Sequence, residues 1–251
     1  MKNSAKWVPS KFVLRDGRLA ASRDPSQVGA GSRLIADLIA EVYERNIPRF
    51  CRGRLVDLGC GQAPLYGAYK SYVADSTCVD WPNSAHGNEY IDVECDLAQR
   101  LPFENETFDT VVLSDVLEHV PEPEALWKEM GRILVRGGRV LLNVPFFYWL
   151  HETPHDYYRY TEYALRRFAE RGGFKVLVLE PLGGAPEVLA DIVGKIFVER
   201  VPIVGKPTAK LLQSMTRGFV RTRLGRKVSE ATSHQFPLGY FLVAEKTADG
   251  A

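Results

Sequence analysis

Long apolar runs are missing from this sequence. No stretch of about twenty uninterrupted apolar residues occurs, which excludes a membrane-spanning helix. Cysteine is scarce: the four, Cys51, Cys60, Cys78 and Cys95, include no Cys-x-x-Cys pair and no disulfide framework. Unpaired thiols suit a reducing compartment. Met1 to Arg15 lacks the apolar core of a signal peptide, so the expected location is cytoplasmic. A net excess of one charge is also lacking, since 32 Lys and Arg against 31 Asp and Glu leave +1. That total calls for no nucleic-acid partner. Repeats and low-complexity tracts are absent, and 45% hydrophobic with 25% charged residues excludes disorder and collagen-like structure.

What remains is an ordinary globular composition with an uneven charge map. Between Ser71 and Trp127 the only Lys or Arg is Arg100, and the flanking segments carry the compensating cations. At 251 residues the chain is long enough to bury a full core as one domain.

The periodicity predicts an α/β fold. The first segment, to about Pro25, is basic and reads as irregular. Leu34, Leu38, Ile39 and Val42 recur at helical spacing over Gly29–Arg45, and Pro48 closes that helix. Strand patterns follow at Arg54–Leu58, Thr77–Asp80, Tyr90–Val93, Asp109–Ser114, Arg139–Val144, Phe174–Leu179 and Tyr240–Ala244. Helical patterns open near Pro64 and cover Glu122–Leu134 and Thr161–Arg171, with Gly137-Gly138 reading as a turn. Strands alternating with helices predict a mainly parallel sheet covered on both faces. The expected layout is one domain, 1–251, with an N-terminal helical cap (1–50), a core (51–182), a helical insertion (183–235) and a last strand (236–247).

Ligands of such sheets bind beyond the carboxyl ends of the strands, where strand order reverses. The first strand-to-helix turn is Asp57-Leu58-Gly59-Cys60-Gly61-Gln62-Ala63. Its glycines allow backbone to approach a ligand, although a lone Gly-x-Gly equally serves a plain tight turn. Its setting adds weight: a buried strand precedes it, and Asp80 ends the next strand about twenty residues on, where a ribose diol is read. Ala63-Pro64-Leu65 supplies no third glycine, and the acidic entry at Asp57 suits a cationic ligand better than a pyrophosphate.

These residues carry a resemblance. Val56–Gly61 is similar to the first motif of class I S-adenosylmethionine-dependent methyltransferases, of the type 11 kind, and Asp80 resembles their ribose-binding acid. Asp96-Leu97, Leu113–Pro121 and the Leu134–Val144 stretch resemble the family's later motifs in the family's order. The resemblance implies a Rossmann-like, seven-stranded, mostly parallel sheet whose last strand is antiparallel, with a helical insertion before it. It implies S-adenosylmethionine as cofactor, held by Asp57, Gly59, Cys60, Gly61, Asp80, Trp81, Asp96, Leu97 and Ser114.

The acceptor chemistry is expected after the fifth core strand, in Pro145–Thr161. His151, His155 and Asp156 are the candidate catalytic groups, because an alcohol acceptor must lose a proton. His119, Tyr157, Tyr158 and Arg159 are candidate substrate contacts, although an aromatic loop with its polar atoms satisfied fits the same letters. His151-Glu-x-x-His155 spells a zinc-protease signature, but Pro154 opposes the continuous helix which that motif requires. Asp115, Glu118 and His119 resemble the Glu-x-x-Glu-His of magnesium-dependent O-methyltransferases. The same Leu-Glu-His also occurs in metal-free relatives, and no metal is expected.

Base N-methylation of nucleic acid is disfavoured, since Ser114-Asp115-Val116-Leu117 replaces the required Pro-Pro motif. In the insertion, apolar residues from Leu189 to Val204 precede basic ones from Lys206 to Lys227. This reads as a lid or dimer contact with a solvated basic face, or as a peripheral membrane contact. Phe219 alone gives little aromatic interleaving for RNA. The Pro145–Thr161 stretch, Pro-Phe-Phe-Tyr followed by His-Glu-x-Pro-His-Asp-Tyr-Tyr-Arg-Tyr-Thr, is similar to a subgroup of methyltransferases found with polysaccharide and glycolipid assembly enzymes. The resemblance therefore implies O-methylation of a saccharide, glycolipid or related small metabolite. N- or C-methylation, or cofactor binding without turnover, are the alternatives.

Overall fold

Arg54–Leu58 is apolar on both faces because the strand it forms lies inside a sheet whose two faces are both covered. A computed structural model describes residues 1–82, 87 and 89–247. In it, β1 (Phe12–Arg15) and β2 (Arg18–Ala21) precede α1 (Arg33–Phe50), β3 (Arg54–Leu58), α2 (Tyr66–Tyr69), β4 (Asp75–Asp80) and β5 (Val93–Glu94). Next come β6 (Phe108–Ser114), α3 (Pro123–Ile133), β7 (Leu134–Pro145), α4 (Glu162–Arg171) and β8 (Phe174–Leu182). Helices α5 (Ala185–Arg200), α6 (Gly205–Arg221) and α7 (Arg223–Thr232) then lead into β9 (Gly239–Lys246).

The seven-stranded sheet has the order β5-β4-β3-β6-β7-β9-β8. Pairs from β5 through β7 are parallel, while β9 runs antiparallel to both β7 and β8. This is the Rossmann-like architecture expected, with the antiparallel strand and the helical segment before it. Alternation along each strand divides the core. Val56, Val111, Leu113, Val140 and Leu142 face α3 and α4 around Trp127 and Met130. Leu55, Val112, Leu141 and Val243 face α1 through Ile39, Val42 and Tyr43.

Several local expectations are corrected. The N-terminal stretch is not irregular: Asp16 and Gly17, both at positive φ, make the two-residue turn of a hairpin whose register pairs Arg15 with Arg18. Pro48 does not close α1. Ile47 is buried against the sheet and Cys51 N–H still reaches the Ile47 carbonyl at 2.9 Å, so the last turn survives the missing donor. Tyr90 and Ile91 do not pair as a strand, since both pack on Cys60 and Cys78 and pairing is confined to Val93–Glu94. Gly137-Gly138 is not a turn between elements but an irregularity within β7, where Phe108 pairs with Leu134 and Thr110 with Arg139.

The α5–α7 segment docks on the start of α1. Gln213 of α6 accepts from Leu34 N–H at 3.1 Å and donates to the Gly31 carbonyl at 2.6 Å, while Arg217 pairs with Asp37. Gly205 and Gly225 begin α6 and α7 where an added Cβ would lie 2.0 Å from the carbonyl oxygens of Phe197 and Phe219. Among the described residues no helix is long and apolar enough to cross a membrane.

Buried Glu187 holds the entry of this segment. It accepts from Gly184 N–H at 3.0 Å and from Ser229 Oγ at 2.7 Å, so it caps α5 and ties α7 to it. Glu187→Ala removes both bonds and strands the Gly184 donor. The expected loss is about 1–3 kcal/mol of unfolding free energy, read as a lower urea midpoint at unchanged m. A midpoint equal to wild type would refute this role.

Candidate active site

Strand order reverses at β3, whose neighbours β4 and β6 lie on opposite sides, so the crevice beyond its carboxyl end is the expected ligand position. The turn after β3 is tightly specified. Gly59 and Cys60 N–H both donate to the Val79 carbonyl, at 2.8 and 3.0 Å. Gly59 has φ +70°, and an added Cβ would sit 2.5 Å from Val116 Cγ2. Asp80 ends β4 and accepts from Gly61 N–H at 2.5 Å and Trp81 N–H at 2.6 Å. Asp57 is buried, accepting from Tyr69 Oη at 3.1 Å. Burial raises its pKa to about 7, and the nearby Asp80 charge adds to that rise. The two acids share the end of the sheet, with no cation contributing to the Asp57 shift.

Asp96 and Leu97 lie after β5. The Asp96 carboxylate accepts from Ala98 N–H at 2.9 Å and is exposed, whereas Leu97 is half-buried against the core. Ser114 ends β6 directly opposite Asn143 of β7. Asn143 Oδ1 accepts from Ser114 Oγ at 2.7 Å and from Tyr43 Oη at 2.9 Å, and its Nδ2 donates to Asp115 Oδ1 at 2.5 Å. Lys11 Nζ takes the other Asp115 oxygen at 2.6 Å.

Asp115 is therefore committed to Asn143 and Lys11. Instead of Asp115, Glu118 and His119, the structure brings together Glu118, His119 and His151, with one ligand atom of each within 4.8 Å of the others. Glu118 is fully buried and neither of its oxygens has a hydrogen-bond partner. Burial, aided by the Asp115 charge, pushes its carboxyl well above the usual range. His119 Nδ1 lies 2.7 Å from the His155 carbonyl, so its ring donates there and turns Nε2 to Glu118 at 3.8 Å. His151 Nδ1 lies 3.3 Å from both the Trp149 carbonyl and Asp156 Oδ2, which leaves its Nε2 3.9 Å from Glu118 Oε1. Three side chains that can each offer an electron pair thus converge, and among the described residues no other side chain hydrogen-bonds to the Glu118 oxygens or to His119 Nε2. Such a cluster fits a hydroxyl proton or a metal cation.

Asp156 orients His151. Arg159 grips it with two bonds, at 2.6 and 2.8 Å, and His151 N–H adds a third at 2.9 Å. The Arg159 bonds hold the Asp156 carboxyl far below its ordinary range. Burial, then the His119 charge, lowers the His151 pKa, so its imidazole stays neutral near pH 7. A cavity of about 260 Å³ opens onto this group, lined by Lys11, Ser32, Asp115, Glu118, Tyr148 and His151 among others.

The remaining candidates sit elsewhere. The His155 ring stands edge-on to Trp81 at 5.2 Å and shares a hydrogen bond with Tyr157 Oη at 3.1 Å, so the two loop histidines serve different places. Tyr157 and Tyr158 N–H both donate to the Glu118 carbonyl, and Tyr158 Oη donates to the Pro121 carbonyl. Arg159 also donates to the Tyr148 and Trp149 carbonyls, which makes it the clamp of the loop. Sequence reasoning missed Lys11, Ser32 and Tyr148 as cavity walls. For Lys11 the signal would have been the β1–β2 hairpin beside it; Ser32 precedes α1, and Tyr148 lies inside the Pro145–Thr161 stretch already singled out.

Comparison with known proteins agrees with this geometry. Residues 56–142 match the family model described as a methyltransferase domain. Over 149 residues the chain is 26% identical to a ubiquinone biosynthesis O-methyltransferase of Coxiella burnetii (strain Dugway 5J108-111). That match covers 49% of this chain and 64% of the relative, so under two thirds of the relative's length is spanned. Among solved structures, the fold matches an S-adenosylmethionine-dependent methyltransferase of Archaeoglobus fulgidus at TM-score 0.55 and 18% identity, covering 83% of this chain and 93% of that one. It also matches the 4+2 cyclase SpnF at TM-score 0.56 and 16% identity, covering 96% and 87%. The architecture is that of the class I methyltransferases, and the cyclase shows that it hosts other chemistry.

The His151 environment makes a spectroscopic prediction. Its imidazole carbon-bound proton should titrate below the ordinary imidazole value. Asp156→Asn should lower the midpoint further, because the carboxylate is the group that raises it. An upward shift in that variant would contradict the arrangement.

Proposed function

We propose that this chain, which carries a methyltransferase domain over residues 56–142, is an S-adenosylmethionine-dependent methyltransferase acting on a hydroxyl bound beside His151. The observation that carries the reading is the neutral His151 ring, held by Asp156 and Arg159 with Nε2 free toward the cavity.

The residues at the sheet end fit the cofactor. Asp57 and Asp80 place two carboxyl groups at the end of the sheet, and the Asp80 charge raises the Asp57 pKa, which suits a ligand carrying an ammonium and a sulfonium. Asp80 is an acceptor suited to a ribose diol, and its bonds to Gly61 and Trp81 N–H fix its rotamer. Asp57, Gly59, Cys60 and Gly61 would line the amino-acid end. Asp80, Trp81, Asp96 and Leu97 would line the nucleoside end, with Ser114 between them. When bound, S-adenosylmethionine supplies an electrophilic methyl group on its sulfonium.

The chain's own residues then handle the acceptor. His151 Nε2 accepts the hydroxyl proton, and Asp156, kept ionised by Arg159, stabilises the imidazolium that forms. His155, beside Trp81, would cover the nucleoside edge. Tyr157, Tyr158 and His119 shape the mouth of the cavity. A saccharide, glycolipid or related small metabolite is the acceptor class that the loop supports. No nucleic acid is assigned.

A second reading has its own observation. Glu118 Oε1, Glu118 Oε2 and His119 Nε2 are all buried without partners. Together with His151 they could hold a divalent cation that polarises the hydroxyl instead.

Two experiments test the reading. In calorimetry, S-adenosylmethionine affinity should rise with pH through about 7 and then level, because the ligand binds ionised Asp57 and the free protein must first lose that proton. Asp57→Asn should abolish that pH dependence. In a methyl-label transfer assay, His151→Ala should retain cofactor affinity and lose about 10²–10⁴-fold in turnover, with His155→Ala milder. Wild-type turnover should fall as pH drops through the lowered His151 pKa and should survive a chelator. Loss of turnover on chelation, restored by a divalent metal, would replace the base reading with the metal one.

A further inference from the structure

Beside the acceptor cavity lies a larger one, of about 590 Å³, between the segment after β7 and helix α5. Its walls are mostly apolar: Phe146, Phe147 and Trp149 on one side, Ile192 and Ile196 on the other, with Arg200 at the rim. That volume is typical of a small-molecule site.

The polar groups of this enclosure are largely spent on one another. Lys195 pairs with Asp191 inside the protein, and its ammonium sits 3.3 Å from the centre of the Tyr148 ring. Asp191 Oδ1 is buried without a hydrogen-bond partner among the described residues, and the exposed Glu199 and Arg200 keep their charged ends at the solvent side of the lining. A peptide here would bring backbone donors and acceptors into walls that offer them almost nothing, at a cost of several kcal/mol for each unmatched group. An alkyl or polyisoprenyl chain brings no such groups.

Position links the cavity to the chemistry. Tyr148 lines both cavities, and the segment that forms the aromatic wall continues directly into His151. Beyond the lining residues, α5 exposes Leu189 and Val193 one helical turn apart, and Ile203 after it is 95% exposed. Lys206 and Lys210 follow on α6. An amphiphile arriving along this apolar face would meet the cavity before it reached His151.

We propose that the 590 Å³ cavity takes the apolar tail of the methyl acceptor, which is therefore a long-chain or lipid-linked amphiphile whose hydroxyl-bearing head lies in the smaller cavity. This rests on the methyltransferase reading and narrows its substrate class. Tail recognition and cofactor binding use different residues, so the two fail separately.

The test uses the full chain with saturating S-adenosylmethionine, titrated with dodecyl β-glucoside below its micelle concentration or with methyl β-glucoside. The dodecyl compound should bind saturably at one site and shift Trp149 emission to the blue, while the methyl compound should do neither. Ile192→Asp and Ile196→Asp, both at partly exposed positions, should weaken dodecyl binding at least about tenfold with cofactor affinity unchanged. Ile192→Trp, which fills the cavity without adding charge, should give the same loss. Trp149→Phe should remove the emission shift but leave a calorimetric signal. Equal affinity for both glucosides, or dodecyl binding indifferent to the isoleucine variants, would overturn the proposal. Binding only to phosphatidylglycerol vesicles would also overturn it and make the apolar face a membrane contact. Failure to bind S-adenosylmethionine at all would instead strike the underlying reading.

Discussion

One buried amide holds the working end of this protein together. Asn143, near the carboxyl end of β7, pairs with Ser114 on the neighbouring strand and joins it to Tyr43 of α1 and Asp115. Through Asp115 the same amide reaches Lys11 at the N-terminal hairpin. The partners come from the end of β6 and from α1, so a shift of either element leaves a buried polar group unmatched, at about 1–3 kcal/mol. The positive φ of Asp115 is held by this network rather than by local sequence preference.

The network also decides what the neighbouring residues are free to do. With Asp115 occupied, Glu118 is buried with no donor, and the two histidines present lone pairs to it. Arg159 gives its charge to Asp156 and its remaining donors to loop carbonyls, so no cation enters the cluster from that side. The result is an electron-rich pocket beside an acidic sheet end. The two regions differ in how they are satisfied: Asp57 and Asp80 accept hydrogen bonds from Tyr69 Oη and from the Gly61 and Trp81 N–H groups, whereas among the described residues neither Glu118 oxygen has a hydrogen-bond partner.

The sheet was legible in the sequence because its period is simple. Apolar runs at Arg54–Leu58 and Asp109–Ser114 admit no other use, and the Asp57-to-Asp80 spacing located the ligand end of the sheet. Pairing details were not legible. The Asp16-Gly17 turn was hidden in a basic segment, and Gly137-Gly138 is a turn by composition but an irregularity by register. Of the site, the Pro145–Thr161 loop was recognisable from its density of polar and aromatic residues. Which histidine faces the cavity was not, because that depends on Asp156 and Arg159 three residues apart in a loop with no period. Glu118 was legible only as part of a motif, since its isolation depends on Asp115 being taken by Lys11, more than a hundred residues earlier.

The position of β9 has a consequence for assembly. It fills the gap between β7 and β8, yet the chain reaches it only after α5, α6 and α7. Until β9 arrives, β8 has no neighbour in the sheet and β7 presents an open edge. During synthesis the β7 edge must therefore wait while α4, β8 and α5 to α7 are made, and loop closure over that separation is slow compared with local pairing. Helix α5, which walls the larger cavity, is made while that edge is still open. The last strand thus acts as a keystone of the sheet: it bonds to β7 at the carboxyl end from which the aromatic wall of the cavity continues, so completion of the sheet fixes the base of that wall.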